Sequence, residues 1–280
     1  MNTTTTQPSG DPETPLNVLS RFSITTLEQD MTAFTVTAAI PIGGMRNPFT
    51  GTPTIAALAI VVDDVAGRVN YHRRESGQWT VSSELTVEMS PGAIDHLLAA
   101  PEEPVVAAAR PLGPGGATLL SVCTLSHGGT VIGGGTVRTM TLADGPAQPA
   151  DRGEDTLIRT PRTTLADLMA VQTLPADSGT YRLRQRTDPM INNLIGIVHG
   201  GVSSAALELV AAAAFNHGQD DRPLRTASIR VNFLRPFVAG AQSTYEATAL
   251  RIGRTSAVAD AAAIGADGKP AVIARVTGYR

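Results

Sequence analysis

The chain repeats itself once, and that repeat limits what it can fold into more than any other feature. GTPTIAALAIVVDD from Gly51 parallels GIVHGGVSSAALEL from Gly196, and SSELTVEMSP ending at Pro91 parallels TASIRVNFLRP ending at Pro236, each pair displaced by 145 positions. Upstream, Thr14-Pro15 answers Thr160-Pro161, and the strand-like TAFTVTAAIP answers GTYRLRQRTDP. Each half then reads alike: a short amphipathic opening helix, a strand, a Gly-containing loop, one long apolar helix and several strands. That is α+β organisation, with the alternation and Gly or Pro punctuation of antiparallel sheet. In the second half the opening helix is TTLADLMAVQ, the next strand TYRLRQRT, and the long helix runs from Val202 to about Asn216. The segment ADGPAQPADRGED, Ala143 to Asp155, is rich in Pro, Gly and charge, so it reads as the join. The expected organisation is a polar tail over 1–13, a first unit over 14–142, a linker over 143–159 and a second unit over 160–280.

Composition excludes several classes. Charged residues make up 17% of the chain, net charge is −3, and Lys and Arg do not cluster, so no nucleic-acid footprint is expected. Cys123 is the single cysteine, which leaves no internal disulfide and no zinc-ligand spacing and favours a reducing, cytoplasmic setting. The opening MNTTTTQPSGDPETP has neither a basic nor an apolar signal region. The apolar run from Ile55 to Val62 stops at Asp63 and Asp64, which taken by themselves read as a solvated pair near a helix end, and it is far short of the roughly 20 residues of a membrane helix. No membrane partner is expected.

The candidate chemistry lies at the second long helix. VSSAALELVAAAAF, Val202 to Phe215, carries one charge, Glu208, in fourteen positions and is apolar all round, the mark of a buried helix. A carboxylate there is costly unless neutralised or kept for a purpose. Gly200 and Gly201 open the helix, where backbone N–H groups lack partners and lie at the positive end of the helix dipole. Such donors suit an oxyanion, at about 2.7 to 4 kcal/mol each in a transition state. The carboxylate could serve as general base or as nucleophile, and Asn193 could orient a water or a carbonyl. His199 either caps the helix or contacts substrate. His127-Gly128-Gly129 repeats the tripeptide but precedes TVIGGGTV, so it reads as a hairpin turn.

The stretch NLIGIVHGGVSSAALEL, with Asn193 six residues before His199-Gly200-Gly201 and Glu208 nine residues after His199, resembles the active-site segment of hotdog-fold thioesterases of the phenylacetate-pathway and 4-hydroxybenzoyl-CoA type. The likeness continues through SIRVNFLRPF and LRIGRTSAV, while the first half is similar only in architecture. The resemblance implies a double hotdog, two repeats each with an antiparallel sheet wrapped around one long helix, able to join edge to edge. It implies acyl-CoA thioester hydrolysis with no metal or organic cofactor, acyl-CoA as the partner, and by analogy a homodimer of such chains. In the family the glycine loop of one unit works with the carboxylate of its neighbour. Carried over, Asn193, His199 and Gly200 face Asp63, the repeat counterpart of Glu208, and Glu208 faces the loop around Arg46, Asn47 and Thr54. Ile55 stands where the second half has Gly200, so the Asp63 site is expected to be the more complete. Arg251 and Arg254, in RIGRTS, resemble the family's basic segment beside CoA. Ala212, one turn beyond Glu208, departs from the family's usual Ser or Thr.

Rival readings are a non-catalytic acyl-CoA-binding hotdog protein and a hotdog hydratase or dehydratase. The second would need a loop with paired Asp and His, and the sequence offers none. No dinucleotide loop, Walker lysine or G-x-S-x-G is present.

Overall fold

The computed structural model describes residues 16–143, 155–219 and 222–280. The expected tail over 1–13, the Thr14-Pro15 match and most of the expected linker lie outside them. The first half contains α1 (Leu16–Arg21), β1 (Thr25–Asp30), β2 (Thr35–Ile40), α2 (Leu58–His72), β3 (Trp79–Met89), α3 (Ala93–Ala99), β4 (Val105–Pro111), β5 (Thr118–His127) and β6 (Thr130–Leu142). The second contains α4 (Leu165–Leu168), β7 (Val171–Thr173), β8 (Tyr181–Gln185), a 3₁₀ turn at Pro189–Ile191, α5 (Gly200–Phe215), β9 (Arg225–Phe233), β10 (Thr244–Ile252), β11 (Ser256–Ile264) and β12 (Pro270–Tyr279).

All described strands join one antiparallel sheet, ordered β1-β2-β4-β5-β6-β3-β9-β12-β11-β10-β8-β7. Outward from the β3–β9 pair the order is β3, β6, β5, β4, β2, β1 on one side and β9, β12, β11, β10, β8, β7 on the other. Each strand's counterpart thus comes six later in the chain. The two halves meet through the ladder from Glu84↔Asn232 to Glu88↔Ser228. α2 packs on the first half's strands, α5 on the second's, and the two helices pack against each other. Both are buried along most of their length, α5 apolar nearly all round and α2 carrying Asp63, Asp64 and Arg68 among its buried residues.

Two element readings need correction. TTLADLMAVQ is not one helix: Thr164 and Asp167 form a reciprocal cap that starts α4, but Ala170 takes a left-handed φ of 51° and the chain turns into the edge strand β7. Asp63 and Asp64 are not near a helix end either, since α2 continues to His72. The charges that seemed to stop the helix are carried within it, Asp64 pairing with Arg68 one turn on at 2.8 Å. At Gly128-Gly129 both glycines have positive φ, 54° and 75°, in the turn joining β5 to β6, as the hairpin reading required.

The helix crossing explains one glycine. A Cβ on Gly201 would lie 2.6 Å from the Cα of Ile60 and 2.9 Å from the carbonyl oxygen of Ala59, backbone atoms of α2 that cannot swing aside. Gly67, midway along α2, would meet nothing within 4 Å. We expect Gly201→Ala to lower stability by about 1–3 kcal/mol in urea unfolding. Gly67→Ala should be neutral or raise stability by up to about 1 kcal/mol. Equal effects at the two positions would contradict this account of the crossing.

Candidate active site

Because α2 lies across the start of α5, a carboxylate from the first half meets the helix N-terminus of the second. Asp63 is buried, and its Oδ2 accepts the backbone N–H of Gly201 at 2.6 Å while its Oδ1 accepts the hydroxyl of Ser82 at 3.0 Å. Charge, helix dipole and unpartnered first-turn donors all favour this contact. His199 is the N-cap of α5, with Nδ1 3.1 Å from the Gly201 nitrogen and 3.4 Å from Asp63 Oδ2. The shorter contact, to a charged acceptor, takes the amide proton. Gly200 is confined from two sides: a Cβ there would lie 2.8 Å from Asp63 Oδ2 and 3.1 Å from the Phe233 ring. Asn193 uses its Oδ1 to accept the N–H groups of Ile195 and Ile197, an Asx-type turn that shapes the loop.

These residues border a cavity of about 410 Å³, lined among others by Asp63, Asn193, His199, Gly200 and Phe233. It runs between the α5 entry loop and the first half's α2, β3 and β6, where Asp64, Gly67, Arg68 and Trp79 line it. The structure therefore brings together Asn193, His199, Gly200 and Asp63, across the two halves.

Glu208 stands apart. It is buried among Thr54, whose hydroxyl donates at 2.8 Å, and Thr226, whose hydroxyl donates at 2.5 Å. It does not line the Asp63 cavity. The arrangement mirrors the other half-site: Thr54 holds the place of His199, and Thr226 that of Ser82. Both hydroxyls sit beside a break in strand register, between Ser82 and Glu84 in β3 and between Thr226 and Ser228 in β9. A bulge re-aims side chains, and here each directs a hydroxyl toward the carboxylate of its own half. Asn47 likewise mirrors Asn193, accepting the N–H of Phe49 and donating to the Leu209 carbonyl. Arg46 is spent on the carbonyl of Gly51.

Arg251 and Arg254 do not line the Asp63 cavity. Arg254 borders a separate groove with Arg222, Arg225, Arg230 and Arg280, on the side of Thr226. The arginine near the exposed Leu234 in the Asp63 cavity lining is Arg235, held by Asp267 and by the Pro270 carbonyl. Cys123 is buried, its thiol pushed up to about 12 by desolvation, so it offers no nucleophile. Sequence reasoning missed Ser82, Phe233 and Arg68. The first two depend on a bulge and on strand pairing, which leave no motif. Arg68 was legible as the i+4 partner of Asp64 once the helix is allowed to continue.

Residues 195–271 match the family model described as the thioesterase superfamily. A search of curated proteins finds no match. Among solved structures the chain is similar to a tesB protein of Mycobacterium avium subsp. paratuberculosis, at TM-score 0.63 and 11% identity over 95% of this chain and 98% of that one. It is similar to the acyl-CoA thioesterase II TesB2 of Mycobacterium marinum, at 0.58 and 12% over 94% and 96%. A protein with hot dog fold from Alicyclobacillus acidocaldarius aligns at 0.58 and 13% over 94% and 97%. The chain therefore has the hotdog fold, an α+β architecture with antiparallel sheet, and within it residues 195–271 match the thioesterase superfamily.

Burial pushes the Glu208 carboxyl above the usual glutamate range, with the Thr226 and Thr54 hydroxyls opposing. The folded state thus favours the neutral acid. The associated stability is present in full below the unfolded pKa of about 4.3 and is lost as pH rises through the elevated folded value. Glu208→Gln carries no charge at any pH. In urea unfolding from about pH 4 to 8 the wild type should lose stability relative to this variant as pH rises, and parallel profiles would contradict it.

Proposed function

We propose that the protein is an acyl-CoA thioesterase built as two hotdog units in one chain, 14–142 and 160–280 joined by 143–159, with one working site at Asp63. The observation that carries this reading is the Asp63 carboxylate held 2.6 Å from the amide of Gly201, beside a cavity and beside the first-turn N–H of Gly200. The thioesterase-superfamily match over the loop and helix, and the whole-chain likeness to proteins named as a tesB protein and an acyl-CoA thioesterase II, support it.

The thioester enters with its carbonyl oxygen toward the Gly200 N–H, at the positive end of α5. Glycine permits that approach, and the preset donor stabilises the oxyanion as it forms. Ser82 and Gly201 each occupy one direction on the Asp63 oxygens, so the carboxylate keeps lone pairs for a water and cannot rotate away. In the general-base form, water attacks the carbonyl carbon and its proton passes to Asp63. The tetrahedral oxyanion then collapses, the carbon–sulfur bond breaks, and the departing thiolate takes the proton back, leaving acid and free thiol. Direct attack by Asp63, forming an anhydride that water then opens, uses the same geometry. Asn193 Nδ2 and His199 border the reacting centre and orient the water or the carbonyl. Glu208 belongs to a degenerate half-site, with both oxygens bonded to threonines and Ile55 in the place of the oxyanion glycine.

Asp63→Asn keeps the size and one acceptor for Gly201 but cannot take a proton. We expect kcat for acyl-CoA hydrolysis to fall by about 10²–10⁴ with KM little changed. Glu208→Gln should stay within an order of magnitude of wild type. Full activity in the Asp63 variant would remove the assignment. Tight acyl-CoA binding without turnover by the wild type would favour the binding-protein reading.

A further inference from the structure

The loop that enters α5 is anchored from the other half of the chain. Arg21, the last residue of α1, is only 1% exposed, and its guanidinium holds two aspartates. Nε and Nη2 donate to the Asp155 carboxylate at 3.2 and 2.8 Å, while Nη1 donates to Asp188 Oδ2 at 3.0 Å. Asp155 ends the segment read as the join between the halves, and Asp188 opens the segment that leads to the site. The contact to Asp155 docks α1 together with Arg159, which donates to the carbonyl oxygens of Ser20 and Arg21 at 3.0 and 2.9 Å. A buried guanidinium is costly to desolvate, and buried ion pairs seldom add stability over apolar packing. The contact to Asp188 is surplus to that docking.

Asp188 connects Arg21 with the residues of the site by a short path. Its Oδ1 accepts the N–H of Met190 at 2.9 Å, which caps the 3₁₀ turn Pro189–Ile191. Ile191, buried at the end of that turn, uses its carbonyl to accept the His199 N–H at 2.9 Å. Asn192 bridges to Val198, closing the loop that carries Asn193, and Gly200 follows His199 directly. One end of this path lies on the first half and the other at the start of α5, against Asp63. The repeat provides a comparison. TAFTVTAAIP answers GTYRLRQRTDP, so Ile40 stands where Asp188 does, buried and without charge. The fold thus accepts an apolar residue there, and of the two positions only the one ahead of the Asp63 cavity carries a carboxylate.

Resting on the thioesterase reading of the same site, we propose that Arg21 is a positioning residue for hydrolysis: through Asp188 it fixes the loop that sets Asn193, His199 and the Gly200 amide beside Asp63. Asp63 reaches the start of α5 from α2, and Arg21 reaches the loop ahead of it from α1, so the first half holds the reacting centre through two elements. A displacement of about 1 Å at a reacting centre can cost about a hundredfold in rate even when the change that causes it is remote. Arg21 touches no substrate in this arrangement and acts only through the loop.

The test separates the two arms of the guanidinium. Asp188→Asn keeps an acceptor for Met190 but gives up the ion pair with Arg21, and Arg21→Gln gives up both arms. Each should lower kcat for acyl-CoA hydrolysis by about ten- to a hundredfold with KM within about threefold of wild type. The double variant should be no slower than the slower single one, since both changes break the same contact. Asp155→Asn breaks the other arm, and it should lower stability to urea at least as much as Asp188→Asn while keeping kcat within about twofold of wild type. In amide hydrogen exchange, Asp188→Asn should speed exchange at the His199 N–H by at least about tenfold, and Asp155→Asn should not. Wild-type kcat in Asp188→Asn, equal losses of kcat in the Asp155 and Asp188 variants, fully additive losses, or His199 exchange unmoved by Asp188→Asn would overturn the proposal. If Arg21→Gln does not fold, the two aspartate variants decide it. Exchange is read without turnover, so a protein that hydrolyses no thioester refutes the reaction while the hold of Asp188 on the loop is still measured.

Discussion

An aspartate on one helix accepting a backbone N–H at the start of another is the contact on which the rest of the structure turns. Asp63 reaches Gly201 only because α2 passes close enough that a Cβ on Gly201 would meet its backbone. That approach sets the glycines, places the Gly200 amide at the wall of the cavity and makes the second half's loop depend on the first half's helix. The proposed site draws on both halves. A carboxylate in this position is stabilised by the helix dipole and by donors that would otherwise be orphaned, so one interaction serves packing and chemistry together.

The repeat makes the two half-sites comparable residue by residue. Both have a carboxylate in the long helix, a hydroxyl beside a strand irregularity, and an asparagine that folds the preceding loop. They differ in what opens the helix. Gly200 borders a cavity and adds no side chain to it, whereas Ile55 is buried at the equivalent position. The Glu208 side has closed into a satisfied, neutral-favouring acid held by two threonines. The Asp63 side stays open, and its wall carries charge that the other helix does without.

Much of this was legible in the chain. The displacement of 145 positions paired Asp63 with Glu208 before any coordinates. The Gly-Gly at 200–201 marked a helix start, since apolar residues follow it without a break. What could not be read is tertiary in origin. Ser82 and Thr226 reach the carboxylates through breaks in strand pairing, and no residue pattern announces these. Phe233 crowds Gly200 only because β9 runs beside α5. TTLADLMAVQ has helical spacing over its length, yet a left-handed Ala170 and pairing with β8 divide it into a single turn and a strand. Asp63-Asp64 broke an apolar run and so looked like a helix end; the helix continues because Arg68 lies one turn away to pair with Asp64.

A crystal structure with a non-hydrolysable acyl-CoA analogue tests the central claim most directly. The account places the analogue's carbonyl oxygen about 2.7–3.1 Å from the Gly200 nitrogen, with the Asp63 carboxylate on the open face of the carbonyl carbon. An analogue seated against Glu208 and Thr54, or bound with its carbonyl remote from the start of α5, would contradict it.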